Sequence, residues 1–148
     1  MNIQDIENGM PESAQADTAM RKYQQQIYGQ YQAMQQELQS KAAAFVKDSA
    51  KMDDVIKQIR RESLQDLNNR IVRFQQNINQ YEAKKYNELQ KPIIKKIQSA
   101  VNTVAKARGY TYVVKRLMTT NTGPVKLLIV KPKGDDLTAA VKAKLGLK

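Results

Sequence analysis

The chain contains no cysteine, no histidine and no tryptophan. Without Cys and His there is no Cys/His zinc site, no thiol nucleophile and no Ser-His relay. No disulfide can staple the fold, although an absence of Cys is compatible with any redox compartment. No apolar run approaches the roughly 18 residues of a membrane span. Large apolar residues are scarce too: Leu, Ile, Val and Phe number 10, 11, 10 and 2 in 148 residues. That is about 22%, near the lower edge for a globular core. A compact enzyme around one thick core does not fit; long amphipathic helices do. The six glycines build no phosphate loop, since Gly123–Lys126 (GPVK) lacks the Walker spacing and its Ser/Thr. No acid–base pair or nucleophile constellation can be assembled, so the chain reads as a non-enzyme without cofactor or metal. The start, MNIQDIENGMPE, lacks a charged-then-apolar leader pattern. The expectation is an intracellular protein, or one whose signal preceded this numbering.

What is present is positive charge, unevenly placed. The chain has 25 Lys+Arg against 14 Asp+Glu, net +11. Residues 1–54 carry five basic and eight acidic groups, net −3; residues 55–148 carry twenty and six, net +14.

Residues 1–10 read as a short alternating, strand-like segment with Ile3 and Ile6 as its strong apolar residues. Met10-Pro11 then opens a helix, with Pro11 suited to its first turn and Glu12 to the positive end of its dipole. From there to about residue 47 an apolar stripe runs Met20, Tyr23, Ile27, Tyr31, Met34, Leu38, Ala42, Phe45. Its steps repeat every eleven residues, the period of a nearly straight helix. Gly29 interrupts it at a cost of about 1 kcal/mol. DSAKMDD (48–54) breaks the pattern with residues that favour turns and caps. A second stripe follows: Ile56, Ile59, Leu64, Leu67, Ile71, Phe74, Ile78, Tyr81.

The two stripes mirror one another. Residue numbers that total 101 (45 with 56, 42 with 59, 34 with 67, 27 with 74, 23 with 78, 20 with 81) or 102 (38 with 64, 31 with 71) pair apolar with apolar throughout. This predicts an antiparallel coiled-coil arm over 12–89, folded at residues 50–51 with its tip near 48–54. An arm of about 35 residues would project roughly 50 Å. Beyond Leu89 the second helix continues alone through Pro92, which should kink it or mark the arm–body junction. Arg108-Gly109 reads as its stop. Tyr110–Val114 and Val125–Val130 read as β-strands bridged by TTNTGP (119–124), with KPKG (131–134) ending the second. Asp135–Lys148 reads as a short helix capped by Asp136 or Thr138, with Leu137, Val141 and Leu145 on one face. The fold class is mostly α with a small β hub: 1–11 and 90–148 as body, 12–89 as arm. So little core calls for oligomerisation.

The run KPIIKKIQSAVNTVAKARGYTYVV (91–114) resembles the Skp/OmpH family of periplasmic chaperones. It carries Pro92-Ile93, Lys96-Ile97, Ala100-Val101, Val104-Ala105-Lys106, Gly109-Tyr110 and Val113-Val114. DDLTAAVKAKLG (135–146) is similar to that family's closing helix and NIQDIENGMPE (2–12) to the segment before its arm. Lys115-Arg116 departs from the Asp usual after the Val pair. The resemblance implies a periplasmic homotrimer with a β-containing trimerisation hub and three arms around a cavity. It implies ATP-independent holding of unfolded outer-membrane β-barrel proteins.

Candidate binding residues follow. Arg60, Arg61, Arg70 and Arg73 lie off the apolar stripe; Lys84, Lys85, Lys91, Lys95 and Lys96 cluster at the junction. A basic cavity wall attracts acidic unfolded chains and anionic lipid or lipopolysaccharide; solvated helix faces are the plain alternative. Met52 at the tip offers a soft apolar contact, while Met20 and Met34 read as seam filling. Tyrosines 23, 28, 31, 81 and 86 read as packing residues. Asp48, Asp53 and Asp54 read as helix caps rather than metal ligands. Two other classes stay open: a basic coiled-coil binder of nucleic acid or another anionic polymer, and a structural spacer. No recognition motif for specific nucleic acid is present.

Overall fold

A computed structural model describes residues 1–111, 113 and 136–147. They form four α-helices: α1 (Ile3–Gly9), α2 (Pro11–Asp48), α3 (Asp54–Ala107) and α4 (Thr138–Lys144). A single 3-10 turn, Ser49–Lys51, joins α2 to α3. No strand occurs among the described residues. Of the expected strands, Tyr110, Thr111 and Val113 are described as non-helical backbone. Tyr112, Val114, the 125–130 strand, the 119–124 bridge and KPKG lie outside the described residues. The chain divides into two compact units, Met1–Asp17 with Glu88–Lys148, and Thr18–Asn87.

The Thr18–Asn87 unit is the hairpin made by α2 and α3. Pro11 sits at the first position of α2, where its missing N–H costs nothing, and Glu12 lies in the first turn. At the other end Asp53 caps α3: its Oδ1 accepts from the Val55 N–H (2.7 Å) and its carbonyl from the Lys57 N–H (2.9 Å). Between the helices Ile27, Leu67, Ile71 and Ile78 are buried, with Tyr23, Tyr31, Met34, Leu38, Leu64 and Phe74 half-buried beside them. The Phe74 and Tyr81 rings meet at a tilt of 52° with centroids 5.9 Å apart.

The reversal falls where the sequence places it: residues 49–53 separate α2 from α3, beginning with the 3-10 turn Ser49–Lys51. Three of the expected packing residues are nevertheless exposed: Ile56 is 45% exposed, Ile59 55% and Tyr81 37%. Lys57, Glu82 and Lys85, polar residues next to the stripe, are half-buried.

The other unit has the denser core. Ile6, Met10, Ala16, Ile93, Ile97, Ala100, Val101, Val104, Leu137 and Val141 are buried together, drawn from all four helices. The strand-like reading of residues 1–10 is thus corrected: the segment is helix α1. Ile3, Ile6 and Met10 recur at steps of three and four, the helical period, and α1 lies against α4. A β conformation would turn Ile3 and Ile6 to opposite faces. The α3 helix runs through Pro92 and stops as its sequence requires. Gly109 takes φ +69°, the Gly109 N–H bonds to the Lys106 carbonyl (3.2 Å), and the Tyr110 N–H reaches back to the Ala105 carbonyl (3.0 Å). The α4 helix ends in the same way: Gly146 at φ +72°, and the Leu147 N–H on the Lys142 carbonyl at 2.9 Å. Asp136 Oδ1 accepts from the Thr138 N–H at 3.0 Å, holding the entry to α4.

Candidate functional site

The α3 helix supplies every expected basic binding residue. In the hairpin unit Arg60, Arg61, Arg70, Arg73 and Lys84 are exposed, and Lys85 is half-buried. In the other unit Lys91, Lys95 and Lys96 are exposed, with Lys91 and Lys95 one turn apart. Helical spacing sets these positions, but their partners differ. The Lys85 ammonium lies over the Tyr23 ring, 5.6 Å from its centroid, a distance at which the ring face attracts a cation. Lys96 is paired with Glu12 across α3 and α2. That hydrogen bond, together with the charge on Lys96, holds the Glu12 carboxyl below the usual carboxylate range. Lys85 and Lys96 therefore carry structural contacts. Arg70 lies near Glu37, whose carboxyl is held low first by its bond to Lys41 and in smaller part by Arg70. Arg73 Nε donates to the Asn69 carbonyl at 3.4 Å, which aims it along its own helix.

Apolar surface accompanies this charge. Around the tip Val46 and Val55 are exposed together with Ile56 and Ile59, while Met52 is half-buried. Sequence reasoning singled out Met52 and missed the other four, because pairing at 101 covers Ile56 and Ile59. Arg60 and Arg61 stand where the seam passes from Lys57 to Leu64, so charge and exposed hydrocarbon share one stretch of helix. In the Met1–Asp17 and Glu88–Lys148 unit an open groove of about 520 Å³ is lined by Met1, Ile3, Ile94, Ile97, Val101 and Tyr110. Ile94 there is an exposed large apolar residue. No group of three or more His, Cys, Asp or Glu side chains suited to a metal ion occurs among the described residues. No helix among them is long and apolar enough to cross a membrane.

Exposed cations and exposed apolar side chains on one stretch of α3 suit many weak contacts. The model of the OmpH-like outer membrane protein family matches residues 1–145, and the chain belongs to that family. A comparison with curated proteins found no match.

Proposed function

We propose that the protein is an ATP-independent holdase, not an enzyme. It binds unfolded outer-membrane β-barrel proteins in the periplasm, the usual compartment of the OmpH-like family. The observation that carries this reading is the adjacency on α3 of exposed cations (Arg60, Arg61) and exposed apolar side chains (Ile56, Ile59). Non-native chains present both charge and hydrocarbon, in no fixed order. A surface offering both binds varied sequences through small increments. It also releases them without a nucleotide, since no single contact is strong.

The acting form in this proposal is a homotrimer, with three hairpins around a basic cavity and the β-containing hub as its root. The apolar groove beside Ile94 supports that part: it is the kind of surface a second copy covers. Anionic lipid or lipopolysaccharide would meet the same lysines. A solution mass near three times 16.9 kDa is the expected result; a stable monomer opposes the cavity. The functional test is suppression of light scattering by an aggregating β-barrel client. Suppression saturating near one trimer per client supports the proposal, and none at threefold excess of trimer refutes it. A basic polymer binder would instead bind duplex DNA at about 150 mM salt in preference to the client, with affinity falling steeply as salt rises.

A further inference from the structure

The two helices of the Thr18–Asn87 unit offer solvent different surfaces. We infer that the hairpin is one-sided toward clients: an unfolded chain is held along α3, and the middle of α2 stays clear of it. The inference deepens the holdase reading and rests on it. The client segment it selects is extended and carries acidic and apolar side chains together.

On α2, residues 23–36 contain seven glutamines and no charged residue. Six of those glutamines, Gln25, Gln26, Gln30, Gln32, Gln35 and Gln36, are exposed. Tyr28 is the only exposed large apolar residue from Thr18 to Phe45. The cations of α2 lie outside the glutamine stretch, and Lys41 among them is bonded to Glu37 at 2.7 Å. A neutral amide gains little from a partner, because it gives up equally good hydrogen bonds to water. The middle of α2 therefore has neither charge nor much hydrocarbon with which to hold a chain.

The part of α3 in the same unit differs on both counts. Val55, Ile56, Ile59, Val72, Tyr81 and Tyr86 are exposed, and covering them with a client removes apolar surface from water. Arg60, Arg61 and Lys84 are exposed and make no ion pair among the described residues. Of the acids on this stretch, Asp54 is already bonded to Lys57 at 3.2 Å, and Glu62 accepts from Gln58 at 2.8 Å. The charge left open to a partner is thus mainly positive. It complements carboxylates on the client, while the hydrocarbon beside it takes the client's apolar side chains.

The chain has no cysteine, so one introduced cysteine carries one photocrosslinker. The sites are exposed Gln25, Gln32 and Gln36 on α2, and exposed Gln65, Gln76 and Gln80 on α3. Exchanges at exposed positions like these leave the fold intact. The probe is a urea-unfolded β-barrel outer-membrane protein diluted into the full-length protein. Crosslinking from the α3 sites should exceed that from the α2 sites by about tenfold at low salt. Even labelling of both helices, with client aggregation still suppressed, overturns the one-sided surface and leaves the holdase reading standing. No crosslink at any site, with no suppression, refutes both. Charge gives a second readout. Gln65→Glu with Gln76→Glu should weaken client binding about tenfold at low salt, and Gln25→Glu with Gln32→Glu should change it by less than about twofold. Equal losses from the two pairs overturn the inference.

Discussion

The backbone N–H of Asn2 donates to Thr138 Oγ1 at 2.8 Å, joining residues 136 positions apart in the chain. Thr138 Oγ1 also bonds to Asp136 Oδ1, so one hydroxyl links the start of α1 to the entry of α4. Thr138→Val keeps the shape and loses both bonds, at a cost of about 1 kcal/mol. Thr138→Ser should retain most of it. Urea denaturation of the three proteins measures the difference.

Exposure separates the isoleucines. Ile6 is fully buried and Ile59 more than half exposed. Ile6→Ala should cost about 3 kcal/mol, and Ile59→Ala should stay within about 0.5 kcal/mol. A clear destabilisation by Ile59→Ala would show that Ile59 is covered in solution. Thermal unfolding of both variants decides.

Two glycines should respond with opposite sign. Gly29 lies inside α2 with open space where a Cβ would go, so Gly29→Ala should stabilise the hairpin by about 1 kcal/mol. Gly109 has equal space but sits at φ +69°, and Gly109→Ala should destabilise by about 1 kcal/mol through backbone strain alone. Helicity followed by circular dichroism during heating reads both.

Acid should loosen the Glu12–Lys96 contact. The folded-state pKa of Glu12 is depressed from its ordinary 4.5, mainly by the hydrogen bond from Lys96. A depressed carboxyl contributes stability above its unfolded pKa and loses it as pH falls through the lower folded value. Wild-type urea midpoints should therefore drop below about pH 4.5, and part of that drop should vanish in Glu12→Gln. An identical acid response in the variant would show that the pair contributes nothing.

Lys91 and Lys95 are the exposed lysines one turn apart on α3. Reversing both to Glu should slow client association by about tenfold at low salt, with the gap closing as salt screens the charge. Stopped-flow fluorescence of a labelled client gives the rates. A structural spacer would show no change.

Much of the architecture was legible in the residues. Pro11, Asp53 and Gly109 mark helix ends through chemistry that acts locally, and the structure places ends there. Which stripe residues end up covered was not legible, because an apolar stripe marks a face and not its burial: Ile56, Ile59 and Tyr81 lie on it and are exposed. The contact of Lys85 with the Tyr23 ring emerges only in three dimensions. Helix α1 was missed for a related reason. Seven residues are too few for periodicity to outvote an alternating appearance, and its packing on α4 decides. Among the candidate site residues, exposure of the arginines followed from their place off the stripe. The pairing of Lys96 with Glu12, 84 residues away, had no local signal.

The clasp between α1 and α4 has a temporal consequence. Synthesis from the amino end delivers Thr18–Asn87 as one uninterrupted stretch, whose helices can zip as soon as both have emerged. The core holding Ile6 and Val141 must wait for nearly the last residues, because its two halves sit at opposite ends of the polypeptide. The hairpin is thus complete early and the other unit's core late, so its apolar side chains stay uncovered until the carboxyl end is made.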